Sequence, residues 1–88
     1  MLRITCESTG EGELRVLLEG RLAGPWVDEL RRISALASEH GARLKLDLSS
    51  LGFADADGLA LLRELLGAAA ELERASAFVS ALLAEARS

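Results

Sequence analysis

A chain of 88 residues has room for one domain, and with half its residues apolar and 27% charged it has a globular rather than a disordered composition. Ten Lys and Arg against fourteen Asp and Glu give a net charge of −4, and no basic run exceeds Arg31-Arg32, which argues against nucleic-acid binding. One cysteine and one histidine exclude an internal disulfide and a zinc site, and no apolar stretch or N-terminal pattern suggests membrane insertion or export, so a single cytoplasmic domain over 1–88 is expected.

Leu2-Arg3-Ile4-Thr5-Cys6 alternates apolar and polar, the period of a half-buried strand, with Cys6 expected as a small core residue. Ser8, Thr9, Gly10 and Gly12 mark a turn, and Leu14, Val16 and Leu18 resume the alternation up to Gly20, which predicts an antiparallel hairpin. Gly10 and Gly12 are too close together for a phosphate cradle and do not precede a helix. Pro25 suits the first turn of a helix. From there Trp26, Val27, Leu30, Ile33, Leu36 and Ala37 recur at helical spacing, opposite Asp28, Glu29, Arg31, Arg32 and Glu39. Trp26 is expected to be partly buried. His40-Gly41 is the stop, the histidine meeting the last carbonyls and the glycine free to turn left-handed.

Arg43 to Leu48 alternates strictly, so one face of this strand is packed and the other is not covered by a helix. Ser49 to Asp57 reads as a loop of small and polar residues interrupted by Leu51 and Phe53. A second helix follows with Leu59, Leu62, Leu65, Leu66 and Ala69 on its inner side. Glu71 to Arg74 fits a brief strand or a helix end, and Ser76 an N-cap for a last helix carrying Phe78, Val79, Leu82, Leu83 and Ala86 inward. The expected order is β-β-α-β-α-(β)-α, with the third strand, second helix and fourth strand forming a right-handed parallel crossover.

The chemistry concentrates between Leu46 and Leu59. Asp55 and Asp57 enter a helix N-terminus, where free N–H groups and the helix dipole favour negative charge, and Asp47 ends the preceding strand. Residue chemistry leaves two readings open: Asp55 or Asp57 caps the helix, or the segment recognises a partner at the strand's C-terminal end, where open α/β sheets place ligands. Catalysis has little support, because no His, Lys or Tyr lies close in sequence to the Asp55 and Asp57 pair to share a proton. Asp47, Asp55 and Asp57 have the oxygen chemistry of a hard-cation site but not the calcium-loop spacing, and no metal or cofactor is expected. Phe53 has two readings as well, a side chain tucked into the core or an apolar anchor beside Leu51 and Leu61.

Two segments carry a family resemblance. Leu18-Glu19-Gly20-Arg21-Leu22 is similar to the apolar-x-Gly-Arg/Glu-Leu that follows the second strand of STAS domains, the fold of bacterial anti-sigma factor antagonists. Leu46-Asp47-Leu48-Ser49 through Phe53-Ala54-Asp55-Ala56-Asp57-Gly58-Leu59 resembles the family's DLS…F-x-D-S-S-G-L, and the order of elements agrees along essentially the whole chain. The resemblance implies an α/β fold with a four- to five-stranded mixed sheet and helices packed mainly on one face.

It also implies a site. In these antagonists a serine before the motif glycine is phosphorylated by a partner kinase, which is itself the anti-sigma factor, and phosphorylation breaks the complex. Carried over by position, that residue is Asp57, and Ala56 and Asp57 leave no hydroxyl to modify. Aspartate carries one negative charge where a phosphoserine carries about −1.5 to −2, so Asp57 is a partial, permanent mimic of the modified state. Two readings follow: a domain locked against its kinase, or a branch that engages a partner without phosphorylation, which is preferred. The implied regulatory segment comprises Asp47, Ser49, Ser50, Phe53, Asp55, Ala56, Asp57, Gly58 and Leu61, followed by the second helix. Its implied partner is an anti-sigma factor or serine kinase in transcription regulation. The family offers an alternative, an accessory STAS subunit of a membrane lipid transporter complex that binds the transporter ATPase. A third reading is a sensor of a nucleotide or lipid. An apolar side chain outside the core at Leu17 or Trp26 would permit a homodimer.

Overall fold

The computed structural model describes residues 2–10, 12–68 and 70–85. Alternating side chains build β1 (Leu2–Gly10) and β2 (Glu13–Leu22), which pair antiparallel with Ile4 opposite Leu18 and Cys6 opposite Val16. They are followed by α1 (Pro25–Glu39), β3 (Arg43–Ala54), α2 (Ala56–Gly67), β4 (Glu71–Ala75) and α3 (Ala77–Glu85). Among the described residues the sheet has four strands in the order β1-β2-β3-β4, with β2, β3 and β4 mutually parallel. This is the mixed α/β sheet that the resemblance implies. Each parallel strand runs directly into a helix, so all three helices begin at the same end of the sheet.

One side of the sheet carries the core. Val16, Leu18, Leu22, Leu44, Leu46, Leu48 and Leu51 form one cluster with Val27, Leu30 and Ala37 of α1, Leu61 and Leu62 of α2, and Val79 of α3. The helices therefore pack on a single face, as strict alternation in β3 requires. Each fully buried leucine contributes about 1.5–3 kcal/mol relative to exposure. Trp26 is half-buried against this cluster, as expected. Pro25 lies in the first turn of α1, whose end is marked by His40, with Nδ1–H donating to the Leu36 carbonyl at 2.8 Å, and by Gly41 at φ +68°. Ser76 accepts from the Val79 N–H at 3.3 Å, the cap expected for α3.

Several expectations need correction. The segment from Ser49 to Ala54 is not a loop but the second half of β3, and β2 does not close at Gly20 but runs to Leu22. The physical reason is a pair of irregularities. Leu17 and Glu19 of β2 face Asp47 and Ser50, and Gly20 and Arg21 face Leu51 and Phe53, so β3 accommodates one extra residue at each step. Each insertion reverses the in–out phase. Leu44, Leu46 and Leu48 point to the core, then Leu51, then Ala54, a rhythm that no single period describes.

Cys6 is exposed rather than core, because α1 lies over β2 and β3 and leaves the middle of edge strand β1 uncovered. Phe78 is exposed as well, while Val79 takes the core position of α3 with Leu82 and Leu83 half-buried. Ala69 and Ala86, expected on inner helix faces, lie outside the described residues. Glu71 to Arg74 belongs to a strand and not to a helix end.

Candidate functional site

Leu22 ends β2 opposite Ala54 at the end of β3, so the first turns of α1 and α2 lie side by side at the carboxyl ends of two parallel strands. The Asp55 N–H donates to the Leu22 carbonyl at 3.1 Å. The Asp55 side chain then holds both helix starts. Its Oδ1 accepts from the Gly58 N–H at 2.7 Å and its Oδ2 accepts from the Gly24 N–H at 3.1 Å. Gly24 itself offers α1 no side-chain cap, so one carboxylate serves two helices. The capping reading of the sequence is therefore correct for Asp55.

Gly58 makes this junction close. A Cβ at that position would sit 2.6 Å from the Leu22 carbonyl oxygen, so a side chain there would push α2 away from β2. Two residues apart from Asp55, Asp57 has a different environment. It is exposed in the first turn of α2, where the helix dipole favours its charge. Ala56 beside it is also exposed.

The other implied site residues separate into distinct places. Asp47 is not at a strand end but inside β3, only 3% exposed, on the sheet face that carries no helix. Its Oδ1 accepts from the Ser49 hydroxyl at 2.7 Å and the Ser49 N–H at 3.0 Å, and its Oδ2 accepts from Arg15 Nη2 at 2.9 Å. The Ser49 hydroxyl bond leads in holding the Asp47 carboxyl below the ordinary carboxylate range, supported by the Ser49 N–H and the Arg15 guanidinium and opposed by burial. Arg15 also pairs with Glu73 at 3.1 Å, so the middle of the bare face is an ion cluster in which both carboxylates meet Arg15 Nη2 while the buried Arg15 Nε has no hydrogen-bond partner. Asp47 consequently does not converge with Asp55 and Asp57, and among the described residues no group of three His, Cys, Asp or Glu could hold a metal ion.

Leu51 and Leu61, expected as apolar anchors, are 0% and 1% exposed and belong to the core. The β3 phase reversals turn Leu51 inward, and helical spacing sets Leu61 beside Leu62 on the buried side of α2. Phe53 is neither a core side chain nor a bare anchor: it is half-buried on the helix-free face with the Arg21 guanidinium 4.7 Å above its ring. Ser50 is exposed on β3. Arg21, Gly24, Arg15 and Glu73 were not among the expected site residues. Only Arg21 had a signal, as part of the Gly20-Arg21-Leu22 motif. Two open clefts lie at the far end of the molecule, near the C-termini of α1 and α2: one includes Leu14, Ile33, Leu36 and His40, the other Ser34, Gly41, Leu65 and Glu71.

Sheet order, parallel strand–helix handovers and the tight α2 start together define a STAS-like fold. A solved structure of the anti-sigma factor antagonist SpoIIAA in its unphosphorylated form is similar to this chain, with a TM-score of 0.76 and 22% identity over 97% of this chain and 81% of that one. At this identity the likeness establishes the fold. No protein-family model and no curated protein sequence matches the chain. No helix among the described residues is long and apolar enough to cross a membrane.

Proposed function

We propose that this chain is a non-catalytic, cytoplasmic protein-interaction domain of the anti-sigma factor antagonist type, which regulates its partner through the start of α2. The contact surface comprises the exposed Ala56 and Asp57, held in place by Asp55 and the buried Gly58, with Phe53 and Arg21 beside them and Ser50 further back along β3. The observation that carries this reading is the division of labour between two carboxylates. Asp55 is consumed in holding two helix N-termini, while Asp57 stands exposed on the rigid turn that Asp55 creates. A partner meeting this turn encounters a fixed negative charge where the family's antagonists carry a switchable serine.

The domain then engages its partner without a phosphorylation cycle. Rigidity supports this reading, because a preorganised turn loses little freedom on binding. The kinase or anti-sigma partner is one prospect and a transporter ATPase the other. Affinity capture from the native lysate with wild type beside Asp57→Ser tests the proposal and separates the partners. Capture of one regulatory protein by the wild type, weakened by Asp57→Lys, supports it. Capture of an ATPase-type kinase by Asp57→Ser alone would instead mean a domain locked in the released state. A transporter ATPase held equally by all variants would favour the accessory-subunit reading.

A further inference from the structure

The two edges of the sheet differ. At β4 the strand is five residues long, and Leu46 and Asp47 of β3 face Leu72 and Arg74, so Glu73 interrupts the regular ladder. Short, irregular edges resist pairing with another chain. At β1 the ladder with β2 is regular from Leu2 to Ser8 and shifts only beyond it. This run contains no proline and no lysine, two usual means of blocking an edge.

Its side chains are also self-complementary. The midpoint of Leu2–Ser8 is Thr5. Antiparallel pairing of β1 with a second β1 about that midpoint sets Arg3 opposite the second copy's Glu7, twice by symmetry, with the two Thr5 residues facing each other. On the other side of the sheet it sets Ile4 opposite Cys6, again twice. Shifting the two-fold axis by one residue in either direction separates Arg3 from Glu7. Within one chain Arg3 already faces Glu19 and Glu7 faces Arg15 across the hairpin. The pairing therefore extends an alternating row of charges, Arg15, Glu7, Arg3, Glu19, across four strands. It also covers the part of β1 that α1 leaves open, where Cys6 and Ser8 are exposed and Ile4 is half-buried.

We infer that β1 is a self-association edge, and that a second copy of this chain pairs with it antiparallel about Thr5 to form a continuous eight-stranded sheet. The interface is independent of the α2 surface and leaves Asp57 accessible in both copies. A seven-residue strand pair buries less than a standard interface, so the dimer is weak and concentration-dependent.

Sedimentation velocity on the wild type, from about 0.01 to about 1 mM, should show monomer converting to dimer. Arg3→Glu and Glu7→Arg alone each juxtapose like charges twice, and each should weaken dimerisation about tenfold or more. Mixing the two single variants, or combining both substitutions in one chain, restores opposite charges and should restore the dimer. Circular dichroism of each variant at low concentration establishes that it is folded, and the restored mixture excludes misfolding as the cause of loss. Cys6 is the chain's single cysteine and would lie diagonally across the axis from its counterpart, about 7–8 Å away, so a short bis-maleimide should link two copies. A wild type that stays monomeric throughout, or a dimer indifferent to both charge reversals, would overturn the inference.

Discussion

The helix-free face of the sheet and the start of α2 both draw aspartates from the same sequence motif, but only the start of α2 leaves one of them exposed. On the sheet face, Asp47 is buried beneath Arg15 and Ser49, and its charge is satisfied inside the molecule. At the start of α2, Asp55 is likewise consumed by two backbone N–H groups, but it leaves Asp57 exposed one turn-step further on. Residue type is thus a poor guide to availability. What separates a structural carboxylate from one that can meet a partner is whether neighbouring donors have already claimed it.

Four substitutions test this contrast, in descending order of expected effect on stability. Gly58→Ala forces a Cβ against the Leu22 carbonyl, and the clash outweighs the gain in helix propensity; a loss of about 2–3 kcal/mol is expected, a Tm drop on the order of 10 °C. Unaltered stability would mean that the α2 start is not packed as tightly as described.

Asp47→Asn retains the shape and an acceptor for Ser49 but removes the charge facing Arg15. Urea unfolding at pH 7 should show a loss of about 1–2 kcal/mol. Folding lowers the Asp47 pKa, so its contribution is fully present above the unfolded value, about 3.9, and is lost as pH falls through the folded value. The gap between wild type and Asp47→Asn should therefore close in acid. A gap that is the same at pH 7 and in strong acid contradicts the ion cluster.

Asp55→Ala removes the cap shared by Gly24 and Gly58 and should cost about 1 kcal/mol, with faster amide exchange at both N–H groups. Faster exchange at Gly58 alone would mean that the two helix starts are not coupled. Asp57→Ser should change stability by less than about 0.5 kcal/mol, since the serine loses only a surface charge near a helix dipole.

Much of this arrangement was legible in the sequence. The period-2 runs of β1, β2 and the first half of β3, the helical spacing from Trp26 to Ala37, and Ser76 as a cap all follow from local rules that tertiary packing does not override here. The second half of β3 was not legible, because two extra residues relative to β2 reverse the side-chain phase at Ser49–Ser50 and again at Gly52–Phe53. An alternation interrupted twice within six residues reads as irregular. For the same reason Leu51 looked like a surface anchor. The site was half legible: residue chemistry marked Asp55 and Asp57 as a helix start, yet the second bond of Asp55, to the Gly24 N–H 31 residues away, is a contact no local pattern encodes. Asp47 gave no sign of burial, since its ion-pair partner Arg15, which also pairs with Glu73, comes from another strand.

The most direct test compares Asp57→Lys with Asp55→Ala, measuring thermal stability and binding to the captured partner in the same preparation. If Asp57 is the available carboxylate and Asp55 the structural one, Asp57→Lys abolishes binding with nearly unchanged Tm, while Asp55→Ala lowers Tm first. If Asp57→Lys binds the partner as the wild type does, the start of α2 is not the contact surface.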